Sequence, residues 1–102
     1  MDNFMIELER LDRVVSVQGE IAWKLESIPY IVDMARKYNR IILGGDVLTA
    51  SGKYTYDNWY YVQESNAPRQ TNVERSINKC LQYINNYLQK HGEQFAFIIV
   101  FA

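Results

Sequence analysis

Between residues 72 and 91 apolar side chains return at intervals of three and four, as Val73, Ile77, Cys80, Leu81, Ile84, Tyr87 and Leu88. The spacing predicts an amphipathic helix with one buried stripe. Thr71 and Glu74 stand at capping-box spacing before it, and Lys90, His91 and Gly92 supply a cationic last turn and a glycine stop. Cys80 falls on the stripe and reads as a small core residue. A second helix is predicted from Ile28, Ile31, Val32, Ala35 and Tyr38. Ser27 is its expected cap, and Pro29 sits in the first turn, where a missing N–H costs little. Arg36, Lys37 and Arg40 crowd its C-terminal end, as the helix dipole favours. A weaker helical pattern covers residues 3–13, carried by Phe4, Leu8, Leu11 and Val15, before Gly19 breaks it.

Strand patterns are shorter. Residues 40–43 form a β-branched run ended by Gly44 and Gly45, and residues 95–101 are nearly continuously apolar, as in a central strand buried on both faces. Residues 47–49 and 54–62 flank a turn at 50–53 and read as a hairpin. Residues 20–24 could add a short edge strand, and the polar stretch 63–70 reads as a loop feeding the long helix. The implied fold is an α+β two-layer sandwich, a mixed or antiparallel sheet of about four strands covered on one face by two to three helices. A helix between the hairpin and the last strand permits a crossover, and with it one parallel pairing. With 102 residues, a single domain over 1–102 is expected.

Charge and special residues narrow the function classes. Eleven Lys and Arg against twelve Asp and Glu leave a net charge of −1, so no positive field exists to hold a nucleic-acid backbone. No apolar run approaches the roughly 20 residues of a membrane span. One cysteine excludes an internal disulfide and no basic-then-apolar leader opens the chain, so a cytoplasmic protein is expected. A single histidine, His91, at a helix end supports neither a triad nor a zinc site, and Gly44-Gly45 lacks the further glycines and lysine of a phosphate loop. No catalytic residue, metal or cofactor is therefore predicted. The alternative is a small carbohydrate-active or hydrolytic enzyme using Asp46 and Asp57 as acid and base, although no sequence spacing sets their separation and both suit turn or loop capping.

Composition adds one signal. Aromatics reach 14%, with eight tyrosines, and four tyrosines and a tryptophan crowd into Tyr54-Thr55-Tyr56-Asp57-Asn58-Trp59-Tyr60-Tyr61. In a strand Tyr54, Tyr56, Asn58 and Tyr60 point one way while Asp57, Trp59 and Tyr61 point the other, unless a bulge intervenes. One set packs under helices; the other leaves amphipathic rings at the surface beside Asp46 and Glu64. Alternation does not say which. Exposed aromatics among acids suit a protein-binding hot spot, or a sugar-stacking platform. The candidate partner-binding residues are Asp46, Tyr54, Tyr56, Asp57, Asn58, Trp59, Tyr60 and Glu64.

Here a resemblance enters. Ile42-Leu43-Gly44-Gly45-Asp46-Val47-Leu48 comes first, then Tyr56-Asp57-Asn58-Trp59-Tyr60-Tyr61. A helix with Ser76 and Tyr83-Ile84 follows, and then a closing strand 95–100. Over residues 22–101 this combination resembles bacterial immunity proteins of polymorphic-toxin and contact-dependent inhibition systems. Residues 1–20 and 63–70 lie outside the resemblance. It implies a small non-catalytic domain that binds a cognate toxin C-terminal domain and blocks its active site or activation. The alternatives are the enzyme above and a general peptide-binding adaptor. The resemblance fixes no contact residues.

Overall fold

The computed structural model describes residues 3–102. Their elements run α1 (Asn3–Leu8), β1 (Arg13–Val15), β2 (Ile21–Lys24), α2 (Ile28–Lys37), β3 (Ile42–Thr49), β4 (Tyr54–Tyr60), α3 (Arg69–His91) and β5 (Phe95–Phe101). The sheet order is β1-β2-β5-β3-β4, with every neighbouring pair antiparallel. The α+β class stands, with five strands in place of about four. The long helix does make a crossover, but it carries the chain past β3. β4 and β5 are thereby separated by β3, and no parallel pair forms.

All three helices cover one face. Phe4, Trp23, Ile31, Ile42, Val47, Ile77, Ile84 and Phe97 meet there in one buried core. At about 1.5–3 kcal/mol per buried large side chain, this stripe-on-sheet contact is the main source of stability. Ser76 sits inside it without cost, because its hydroxyl accepts from Ile42 N (3.0 Å) and donates to Val73 O (2.8 Å). Cys80 is buried in the same stripe, and burial pushes its thiol pKa up to about 12.

Local readings were corrected where tertiary contacts overrode them. The first helix ends at Leu8, not residue 13, since Arg13–Val15 is needed to pair with Ile21–Trp23. The segment expected at an edge, β2, lies between β1 and β5. Ser27 does not cap α2; its hydroxyl donates to Asp12 O (3.0 Å) and ties the β1 entry to the helix start. α3 starts at Arg69 behind Pro68, so the Thr71–Glu74 capping box is not used. Glu74 pairs with Arg36 instead (3.0 Å), joining α3 to α2. Gly44 and Gly45 do not end a strand; β3 runs through them.

The second face is closed at one end only. β2 meets β5 at Trp23 and Lys24, and beyond them the β1–β2 hairpin turns across the sheet. Val17 N donates to Gly52 O (3.1 Å), and the Ser16 and Tyr54 hydroxyls share a hydrogen bond (3.1 Å). Beneath this flap a small second core forms from Ala22, Leu48, Ala96 and Ile98, with Val14 and Tyr54 packed on it. The registers Gly44↔Tyr60, Gly44↔Val100 and Asp46↔Asn58 put those residues on the uncovered remainder.

Candidate partner-binding face

β4 positions the site, and its alternation sorts the aromatic run. Trp59 and Tyr61 turn toward the helices, Asn58 and Tyr60 toward the open face. Trp59 is 5% exposed, so the expectation that it contacts a partner is corrected: it is a core residue. Its indole stacks on Tyr83 (centroids 4.9 Å apart) and lies over Gly45, where a Cβ would stand 2.5 Å from Cη2 and 2.8 Å from Cζ3. The same Cβ would run into the Ile98 carbonyl oxygen, so glycine is required both by the ring and by the β5 backbone. Tyr61 donates to Asn72 Oδ1 (2.8 Å), which also accepts Glu64 N (2.8 Å), while Asn72 Nδ2 donates to Glu64 O (3.0 Å). One buried amide thus holds the chain as it leaves β4, and no periodicity announced it.

The register slips between Asp46↔Asn58 and Leu48↔Tyr54, so residues 55–57 of β4 bulge against Val47 alone. Thr55 Oγ1 bridges the gap, donating to Val47 O (2.8 Å) and accepting from Asp57 N (3.2 Å). Tyr56 takes a left-handed backbone (φ 67°) and is 87% exposed. Such a conformation costs about 1–2 kcal/mol for a side chain with Cβ. The bulge therefore displays a ring at some expense to the fold.

The remaining predicted residues divide between the two faces. Asp46 lies half-buried on the open face beside Asn58. Asp57 turns to the helix side, where Tyr87 Oη donates to its Oδ2 (2.9 Å). Two carboxylates on opposite faces of one sheet cannot flank a common scissile bond. Tyr54 is half-buried and committed to the flap, bonded to Ser16 and Glu20, and its phenol pKa is raised chiefly by Glu20. Glu64 pairs with Arg75. Burial, and then Asp57, raise the Tyr83 phenol pKa.

Tyr56, Asn58, Tyr60 and Asp46 thus gather around the β4 end of the sheet, with Tyr60 71% exposed. Two residues that sequence reasoning passed over join them, Val62 (70% exposed) and Val100 (47% exposed). Around the free edge of β4, Asn58, Trp59, Tyr60, Tyr61 and Val62 line a cleft of about 460 Å³ with Lys79 and Tyr83 of α3. Among the described residues no group of three His, Cys, Asp or Glu could hold a metal ion, and no helix is long and apolar enough to cross a membrane.

Comparison with known families decides what this arrangement belongs to. The family model described as Immunity protein 40 matches residues 7–101. The chain belongs to the Immunity protein 40 family. No curated protein and no solved structure matches it. The matched segment of this Immunity protein 40 chain takes in every strand of the sheet and reaches further toward the N-terminus than the resemblance seen over residues 22–101. Membership supports an immunity function, and the exposed β4 face lies wholly within the matched residues.

Proposed function

We propose that this Immunity protein 40 chain neutralises a cognate toxin C-terminal domain by stoichiometric binding, without turnover, in the cytoplasm of a bacterium carrying a polymorphic-toxin or contact-dependent inhibition system. Family membership over residues 7–101 carries the reading. The β4 face supports it physically. Tyr56 and Tyr60 expose large rings that lose few rotamers on binding, with Asn58 and Asp46 beside them for polar contacts.

Co-expression with the toxin domain encoded by the adjacent gene tests it. Growth should be rescued, and the two proteins should co-purify in equal amounts. Rescue at a protein level far below that of the toxin, with no complex recovered, would point to an enzyme and sink the binding reading.

A further inference from the structure

We propose that the toxin domain docks by adding a β-strand to the outer edge of β4, with an acidic side chain of that strand seated against Lys79. The inference rests on the binding reading above and specifies its mode.

β4 is the last strand of the sheet, and its main chain is turned outward at Tyr60. Tyr61 N donates to Leu43 O (2.8 Å), so the other pole of that planar peptide, the Tyr60 carbonyl, points away from β3. A Cβ on Gly44 would run into the Trp59 carbonyl oxygen, so that oxygen faces β3 and the Tyr60 N–H, across the same peptide plane, faces out. Tyr60 therefore offers a donor and an acceptor on the free edge. Asn58 repeats the arrangement two residues away. Native sheets blunt such edges with lysine, proline or inward charges, yet Asn58-Trp59-Tyr60-Tyr61-Val62 carries none. The Tyr56 bulge bounds the stretch on one side, and the turn held by Asn72 bounds it on the other. A strand entering there has one place to sit. At the opposite edge β1 is only three residues long, and its hairpin is tied to Gly52.

The cleft around the β4 edge selects the occupant. Side chains on the helix side of an added strand fall over Tyr61, Lys79 and Tyr83. Lys79 has no carboxylate partner among the described residues. An unpaired cation beside the free edge calls for a carboxylate. A second copy of this chain joined edge to edge about a twofold axis would instead bring two Lys79 ammonium groups to one seam. The complement is a foreign acidic strand.

The test uses the full chain with the co-expressed toxin domain. On complex formation the Asn58 and Tyr60 amides should slow in hydrogen exchange by about tenfold or more. Tyr60→Pro removes an outward N–H that the β3–β4 ladder does not use. It should bind about tenfold more weakly than Tyr60→Ala, which keeps that N–H, because a partner carbonyl is left unpaired. Lys79→Glu should weaken binding more than Lys79→Gln. Equal affinities for Tyr60→Pro and Tyr60→Ala, or unchanged exchange at both amides, would overturn strand addition while leaving the binding reading intact. If Tyr60→Pro does not fold, amide exchange in the wild-type complex decides alone. Failure of the wild-type chain to bind the toxin domain at all would remove the functional reading, and this one with it.

Discussion

Trp59 and Tyr60 are adjacent in sequence and face opposite sides of the sheet, one sealed under α3 and one 71% exposed. Their substitutions should therefore separate stability from affinity. Trp59→Ala empties the space between Gly45 and Tyr83 and should cost about 3–5 kcal/mol in a urea melt. Tyr60→Ala should leave the melt within about 0.5 kcal/mol of wild type. Its toxin affinity, measured by calorimetric titration, should fall by about 2 kcal/mol or more if Tyr60 is the interfacial anchor. A stable Trp59→Ala protein would contradict the assignment of the indole to the core. This division follows from the two-residue period of a strand and was half legible in sequence: alternation grouped Tyr60 with Asn58 and Trp59 with Tyr61, but left open which group was outward. The left-handed turn of Tyr56 was not legible. Nothing in Thr55-Tyr56-Asp57 forbids a regular strand, and the bulge exists only because β3 supplies Val47 alone opposite three residues.

At the scale of elements, β5 was legible to its bounds and α3 to its C-terminal end and buried stripe, since a seven-residue apolar run and a long one-sided stripe each match one period only. The start of α3 at Arg69 lies ahead of the stripe, which begins at Val73. Ile84→Ala, in the centre of the α3 stripe, should cost about 2–5 kcal/mol. A change under about 0.5 kcal/mol would mean that the helix does not bury this side. β1 was missed because three residues carry too little pattern, and pairing with β2 rather than propensity makes them a strand. The glycine pair in β3 misled for a related reason. In sequence Gly44-Gly45 looks like a stop, whereas in the fold Gly45 is where the Trp59 ring must lie. Gly45→Ala should accordingly destabilise by at least about 2 kcal/mol, measured in the same melt, although alanine is the better residue in most strands. The cleft at Lys79 was invisible for the deepest reason: it belongs to neither α3 nor β4 but to their packing.

The whole molecule should be sensitive to alkali, and the direction follows from its buried acids. The Cys80 thiol ionises near 9.0 when free but near 12 in the fold, and the Tyr83 and Tyr87 phenols are also raised, chiefly by burial. Below pH 9 both states hold the Cys80 proton and stability is full. Above it the unfolded chain releases a proton that the folded chain keeps, so stability falls with rising pH, by roughly 1.4 kcal/mol per pH unit from this group. Urea melts at pH of about 8 and about 10 should show the decline, and Cys80→Ala should make it shallower. Equal midpoints at both values would show that the thiol is not held in a dry environment.

The position of β5 bears on when this protein becomes competent. It is the last of the five strands to leave the ribosome, yet it stands in the middle of the sheet, joining β2 on one side and β3 on the other. Until it emerges, the nascent chain can hold only two disconnected ribbons, β1–β2 and β3–β4, and an isolated two-stranded ribbon is marginal in water. The α3 stripe has no completed sheet to lie on, and Trp23 and Trp59 have no common interior. Assembly is therefore a single late event that zips distant segments together, slow as such long-range closures are. The sheet, and with it the β4 face, is complete only once the seven apolar residues Phe95–Phe101 have arrived.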